Sequence, residues 1–178
     1  MKLTVSKKER GGVITCESGR KYIFLKQDEG QVMVVAAGLM AEDVKFDDDT
    51  TDYSKSRIRQ LIEEKILPLF EEDFGSENIL EHEVDLTTVD MQKDYGKCSC
   101  KVRPITFDEA REFNDLLVDE SLLDWYWTCT SWSTPKRGWN SVAVVSPSGY
   151  ILSYFSGLNG GVRPFCILKS NIFESTEG

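Results

Sequence analysis

The sequence predicts a single α+β domain, residues 1–178, with mixed, mainly antiparallel sheets and two main helices. Three observations carry that expectation. The chain has 178 residues, 40% hydrophobic and 11% aromatic, enough to fill one sizeable core. Short β-branched and aromatic runs recur near both ends, separated by turn residues. Two intervening stretches instead place apolar residues three and four apart, the helical period.

A short strand is expected at 12–15, followed by a hairpin. Its arms are Tyr22-Ile23-Phe24-Leu25 and Val32-Met33-Val34-Val35, with Gln27-Asp28-Glu29-Gly30 between them. Gly30 supplies positive φ in that turn. The apolar continuity of 32–36 marks a central strand covered on both faces. Helical spacing begins near Ser54, where Ile58, Leu61, Ile62, Ile66 and Leu69 share one face. Thr51 or Asp52 can cap it, and Pro68 is expected to kink or end it after Ile66 or Leu67. Glu63, Glu64, Glu71, Glu72 and Asp73 fall off the apolar stripe and are expected in solvent.

Strands are expected at 79–86 and around 98–102. Thr106-Phe107-Asp108-Glu109 is a capping box opening the second helix, whose buried side is Phe107, Ala110, Phe113, Leu116 and Leu117. The last third reads as strands at 125–132, 141–145 and 150–155, with a Ser146-Pro147-Ser148-Gly149 turn. Residues 157–161 read as a loop and 162–168 as a final strand. Trp127 is expected in the core, and Arg163 is expected to bond backbone carbonyls beside the last strand.

Charge narrows the function classes. The formal net charge is −9, yet residues 42–90 hold 16 acids against 5 bases, a net of −11. Phosphate backbones and anionic membranes both need Lys and Arg, so direct nucleic-acid backbone binding and membrane binding are disfavoured. A protein partner with a basic surface fits. The candidate contact residues are Asp47, Asp48, Asp49, Asp52, Glu63, Glu64, Glu71, Glu72 and Asp73.

Catalytic and metal motifs are weak. Cys98-x-Cys100 is the one tight cysteine pair, and strand alternation puts both thiols on one face. The acidic run 47–52 lacks the glycine of an EF-hand, and Ile58 stands where its bidentate Glu belongs. The single histidine, His82, lies far from any cysteine nucleophile in sequence. No Walker A, dinucleotide or nucleophile-elbow pattern occurs. The expectation is a non-enzyme with no cofactor and no metal. A second candidate surface is the aromatic C-terminal end. Trp132, Lys136, Arg137 and Trp139 lie in a polar loop, with Tyr150, Tyr154 and Asn159 nearby. Trp and Arg dominate binding hot spots.

The layout resembles the DUF6273 domain family of bacteria and phages. The carrying segments are the hairpin 22–36, Asp52-Tyr53-Ser54-Lys55-Ser56-Arg57-Ile58-Arg59 and Val102-Arg103-Pro104-Ile105-Thr106-Phe107-Asp108-Glu109-Ala110. Tyr126-Trp127-Thr128-Cys129-Thr130, Val145-Ser146-Pro147-Ser148-Gly149 and Gly161-Val162-Arg163-Pro164 complete the likeness. The resemblance implies a C-type-lectin-like fold, in the branch shared with formylglycine-generating-enzyme domains, and a mobile-element context. Together with the charge it points to a non-enzymatic protein-binding module. The specific expectation is an anti-CRISPR-type inhibitor docking an acidic surface on a basic, Cas9-like nuclease. The alternative is a recognition module that binds a peptide, glycan or virion component through its aromatic end. A bacterial cytoplasmic location is expected, because the first residues lack a signal-peptide run and the cysteine count is odd.

Overall fold

The computed structural model describes residues 1–174. In chain order these form β1 (Leu3–Val5), β2 (Val13–Cys16), β3 (Lys21–Asp28), β4 (Gln31–Ala36), β5 (Ala41–Lys45), α1 (Arg57–Leu61), a π-helical segment (Ile62–Ile66) and α2 (Leu67–Phe74). Then follow β6 (His82–Asp85), β7 (Lys97–Cys100), β8 (Val102–Pro104), α3 (Phe107–Glu112) and α4 (Asn114–Leu117). The chain ends with β9 (Tyr126–Ser131), β10 (Ser141–Val145), β11 (Ile151–Phe155), β12 (Asn159–Val162) and β13 (Pro164–Lys169). One sheet runs β1-β2-β3-β4-β13-β8, a second β11-β10-β9-β12-β5, and β6-β7 form a ribbon. Strand pairs are antiparallel except β9 with β12.

The β3–β4 hairpin turns through Glu29 and Gly30, at φ 40° and 80°. Two consecutive positive φ values match the right-handed twist of the arms. Alternation then sends Val32, Val34 and Ala36 into one apolar cluster and Val35 into a second. The central strand is therefore covered on both faces, as its apolar continuity predicts.

Pro68 does not end the first helix, which runs on to Phe74. The preceding turn widens into a π-helical segment, where the Leu67 N–H donates to the Ile62 carbonyl. Pro68 then falls in the first turn of α2. A wider turn shifts the hydrogen-bond register, so the missing proline N–H falls where α2 starts afresh. The buried face continues as Ile58, Ile62, Ile66, Phe70 and Phe74. Leu61 and Leu69 are only half-buried.

Two further expectations change. Residues 159–162 are a strand, not a loop. A Cβ on Gly160 would lie 3.0 Å from the Trp127 indole nitrogen, and one on Gly161 2.8 Å from Leu39. Both glycines permit close approach rather than a turn. The charged strand β5 has no alternating apolar signal and emerges only by pairing with β12. The capping box forms as read, with Thr106 accepting from the Glu109 N–H and Glu109 from the Thr106 N–H. The second helix breaks at Phe113 into α3 and α4. Trp127 is fully buried and donates to the Val44 carbonyl at 2.7 Å. Arg163 is also fully buried, and it donates to the carbonyls of Ala36, Ala37 and Leu117. Among the described residues no helix is long and apolar enough to cross a membrane.

Candidate functional site

Much of the acidity in residues 42–90 is used internally. The Asp47 carboxylate accepts from the backbone N–H groups of Asp49, Thr50 and Arg57, tying down the approach to α1. Asp48 pairs with Arg57 at 2.7 Å and Lys45 at 3.4 Å. These bonds, Arg57's first, hold its carboxyl below the usual range. Asp52 is buried at 7% exposure and accepts from the N–H and hydroxyl of Ser54, so it is a cap rather than a contact residue.

Asp73 corrects the sequence reading most directly. It is 4% exposed, not in solvent. It receives Arg20 Nε at 2.7 Å and the hydroxyls of Tyr22 and Ser18, each at 2.5 Å. The helix face bearing Asp73 packs against β3 and the turn leading into it, and no helical periodicity announces partners so distant in sequence. Glu72 shares Arg20 at 2.8 Å, and Glu63 pairs with Arg59 at 3.0 Å.

Most of the carboxylates left exposed lie on the 57–74 helix and on the strands beside it, with exposed Glu77 beyond α2 and exposed Asp85 at the end of β6. Glu63 and Glu64 are exposed on the π-helical segment and Glu71 is half-buried on α2, with Asp49 exposed ahead of α1. Arg59 also donates to the Ser99 carbonyl, and the Ser99 hydroxyl donates to Glu81. These bonds join the helix face to the β6–β7 ribbon, which adds exposed Glu81 and Glu83. Glu42 and Asp43 on β5 extend it. Among the described residues Glu42, Asp43, Asp49, Glu64, Glu71, Glu81 and Glu83 make no ion pair. Four of these seven were not singled out from sequence, since isolated acids on strands carry no pattern. A cleft of about 460 Å³ opens in this face, lined by Asp43, Lys45, Arg57, Glu64, Lys65 and Asn159 among others.

The aromatic candidates do not converge. Trp132 is half-buried, edge-on to Phe107 at 6.3 Å. Lys136 and Arg137 pair with Asp94 and Asp90, at 2.6 and 3.0 Å. Burial pushes the Asp90 pKa up, but hydrogen bonds from Ser133, Thr88 and Gln92 outweigh it and hold the carboxyl well below the ordinary value. Trp139 stands 46% exposed near the start of β10. Tyr150, 70% exposed, lies at the other end of the β10–β11 hairpin. Tyr154 is stacked on Trp125 at 5.4 Å, and Asn159 lines the cleft between β5 and α1.

A second cleft, about 630 Å³, has a polar floor that sequence reading did not assemble. Arg103 lies across the Phe165 ring at 4.2 Å and grips Glu109 with two nitrogens, at 2.7 and 2.9 Å. Its Nε donates to His82 Nε2 at 3.0 Å, so Nε2 is an acceptor. Nδ1 carries the proton and donates to the Leu80 carbonyl at 3.1 Å. Burial, then the Arg103 charge, lowers the His82 pKa. With both ring nitrogens engaged, His82 has no lone pair free for base catalysis in this geometry.

All five cysteines are buried and reduced. Burial raises the thiol pKa of Cys100 to about 11 and of Cys16 and Cys129 to about 12, far from the thiolate a nucleophile needs. Cys98 and Cys100 share the inner face of β7, as alternation predicts. No group of three or more metal-ligating side chains gathers among the described residues. Comparison of the chain with family models, with curated proteins and with solved structures finds no match.

Proposed function

We propose that this chain is a non-enzymatic binding protein whose acidic face docks a basic protein surface. The observation that carries the reading is the set of exposed carboxylates left over after internal pairing. They lie on β5, just ahead of α1, on the 57–74 helix and at or just before β6, and none forms an ion pair with Arg20, Arg57 or Arg59. Opposite charge on a partner accelerates encounter with such a face. The engaged ring of His82 and the buried high-pKa thiols support the non-catalytic part. The mainly antiparallel sheets with few helices agree with the α+β class of the C-type-lectin-like fold that the DUF6273 resemblance implies. The mobile-element context of that resemblance favours a nucleic-acid-processing partner, and a Cas9-type nuclease with its positive channel is the specific candidate.

The test reverses charge where no internal pair is broken. Changing Glu42, Glu64, Glu71 and Glu83 to Lys leaves the Arg20, Arg57 and Arg59 bridges intact. Binding to a purified Cas9-type nuclease, and inhibition of its DNA cleavage, are measured between about 0.05 and 0.5 M salt. Binding that is lost in the variant and weakened by salt is expected. Absence of binding, or binding indifferent to both changes, overturns the proposal.

A further inference from the structure

An exposed sheet edge invites another strand, and proteins blunt such edges with charge, proline, kinks or short length. The edges among the described residues carry these devices, with one exception. β1 and β8 are three residues long, and β8 contains Arg103 and Pro104. β5 carries Glu42, Asp43 and Lys45, with Asp43 at φ 53°. β6 carries Glu83 and Asp85, and β7 Lys97. β11, Ile-Leu-Ser-Tyr-Phe, has none. It pairs with β10 alone, in unbroken register over its length. It sits within residues 138–162, which hold no charged side chain in a chain that is 29% charged.

The register shows which backbone groups are free to pair. At the hairpin ends, Ser146 N–H donates to the Tyr150 carbonyl and Ser156 N–H to that of Asn140. Bonded pairs alternate along an antiparallel ladder. Leu152 and Tyr154 therefore turn their backbone groups toward β10, while Ile151, Ser153 and Phe155 turn theirs outward. Apolar side chains flank this edge: Leu152 and Phe155 are 48% and 44% exposed.

We propose that β11 is the interface for a second copy of this chain, paired antiparallel about a two-fold axis at Ser153. The strand complements itself in that register. Phe155 faces Ile151 of the second copy, Leu152 faces Tyr154, and the small Ser153 meets its own counterpart at the axis. Aromatic–aliphatic cross-strand pairs of this kind are favourable. Charge argues for a second copy at this edge. A chain of net charge −9 repels itself wherever carboxylates meet, and β11 brings none together. β11 and β5 end opposite sides of the same sheet, so pairing leaves the β5 part of the acidic face uncovered.

Sedimentation equilibrium tests this on the intact protein. The wild type is expected to approach twice the 20.2 kDa chain mass as concentration rises. Ser153→Pro removes an outward N–H without touching a β10 bond and should leave a monomer. Ser153→Lys and Ser153→Glu place like charges opposite each other at the axis, so each alone should also be monomeric. An equal mixture of the two should recover the dimer, because the opposed charges now attract. The mixture keeps the test decisive if the proline variant fails to fold. A wild type that stays monomeric at about 1 mM overturns the proposal. So does a folded Ser153→Pro dimer, or a mixture that does not reassociate.

Discussion

Replacing Asp73 with alanine should destabilise the fold by about 1.5–4 kcal/mol. The magnitude follows from what the carboxylate holds. The Tyr22 ring is fully buried between Phe70 and Phe74, and its hydroxyl donates to Asp73. Stranding a buried hydroxyl costs about 1–3 kcal/mol. Arg20 is 29% exposed and keeps Glu72, so its lost pair is screened and contributes about 0.5–1 kcal/mol. A central value of about 3 kcal/mol lowers Tm by roughly 6–12 °C for a domain of this size. Urea and thermal unfolding followed by circular dichroism measure it. Tyr22→Phe supplies the second arm, because it removes the hydroxyl that Asp73→Ala would strand. The two changes should be non-additive by about 1 kcal/mol or more. An exposed helix acid would give a change within about 0.5 kcal/mol. That result for Asp73→Ala, or strict additivity with Tyr22→Phe, refutes the buried-anchor account.

Three further outcomes are expected. The His82 pKa is lowered in the fold, so the unfolded chain binds the proton more readily. Stability should therefore fall as pH drops below about 6.5, the ordinary histidine value, and level off below the folded pKa. Urea midpoints from pH 8 to 5 in wild type and His82→Leu would show the step in the first and not the second. Glu109→Ala strands the guanidinium of Arg103, 4% exposed, and should cost about 3–5 kcal/mol. Thr106→Ala loses only a cap, at about 1 kcal/mol, so equal chemical-denaturation losses for the two would disprove the difference. Gly149→Ala meets φ 90° and a Cβ only 2.8 Å from Val118, and its Tm should fall by several degrees. An unchanged melt would contradict that geometry.

Elements with a local signal were legible in the sequence. The β3–β4 hairpin, the capping box at Thr106 and Glu109, the Ser146–Gly149 turn and the Ile58-Ile62-Ile66 stripe all follow from spacing and turn chemistry. Arg163 as a carbonyl anchor and Trp127 as core were also readable. Where side chains and glycines were misread, the deciding partner lies far away in the chain. Gly160 and Gly161 look like a loop until Trp127 and Leu39 press against them. Pro68 was legible as a place where the helix kinks or ends; that the π-helical turn just ahead of it resets the register, so that the helix runs on to Phe74, was not.

The regional charge of −11 in residues 42–90 is fixed by the amino-acid order alone. Which of those carboxylates reach solvent is not. Asp73 and Glu72 meet Arg20 more than fifty positions away, while Glu64 and Glu81 accept from the uncharged Gln60 and Ser99 and form no ion pair among the described residues. Local periodicity assigns a residue to a helix face, because backbone geometry repeats every few residues. Whether that face meets solvent or another strand depends on long-range packing, where burying a charge is tolerated only if a partner arrives with it.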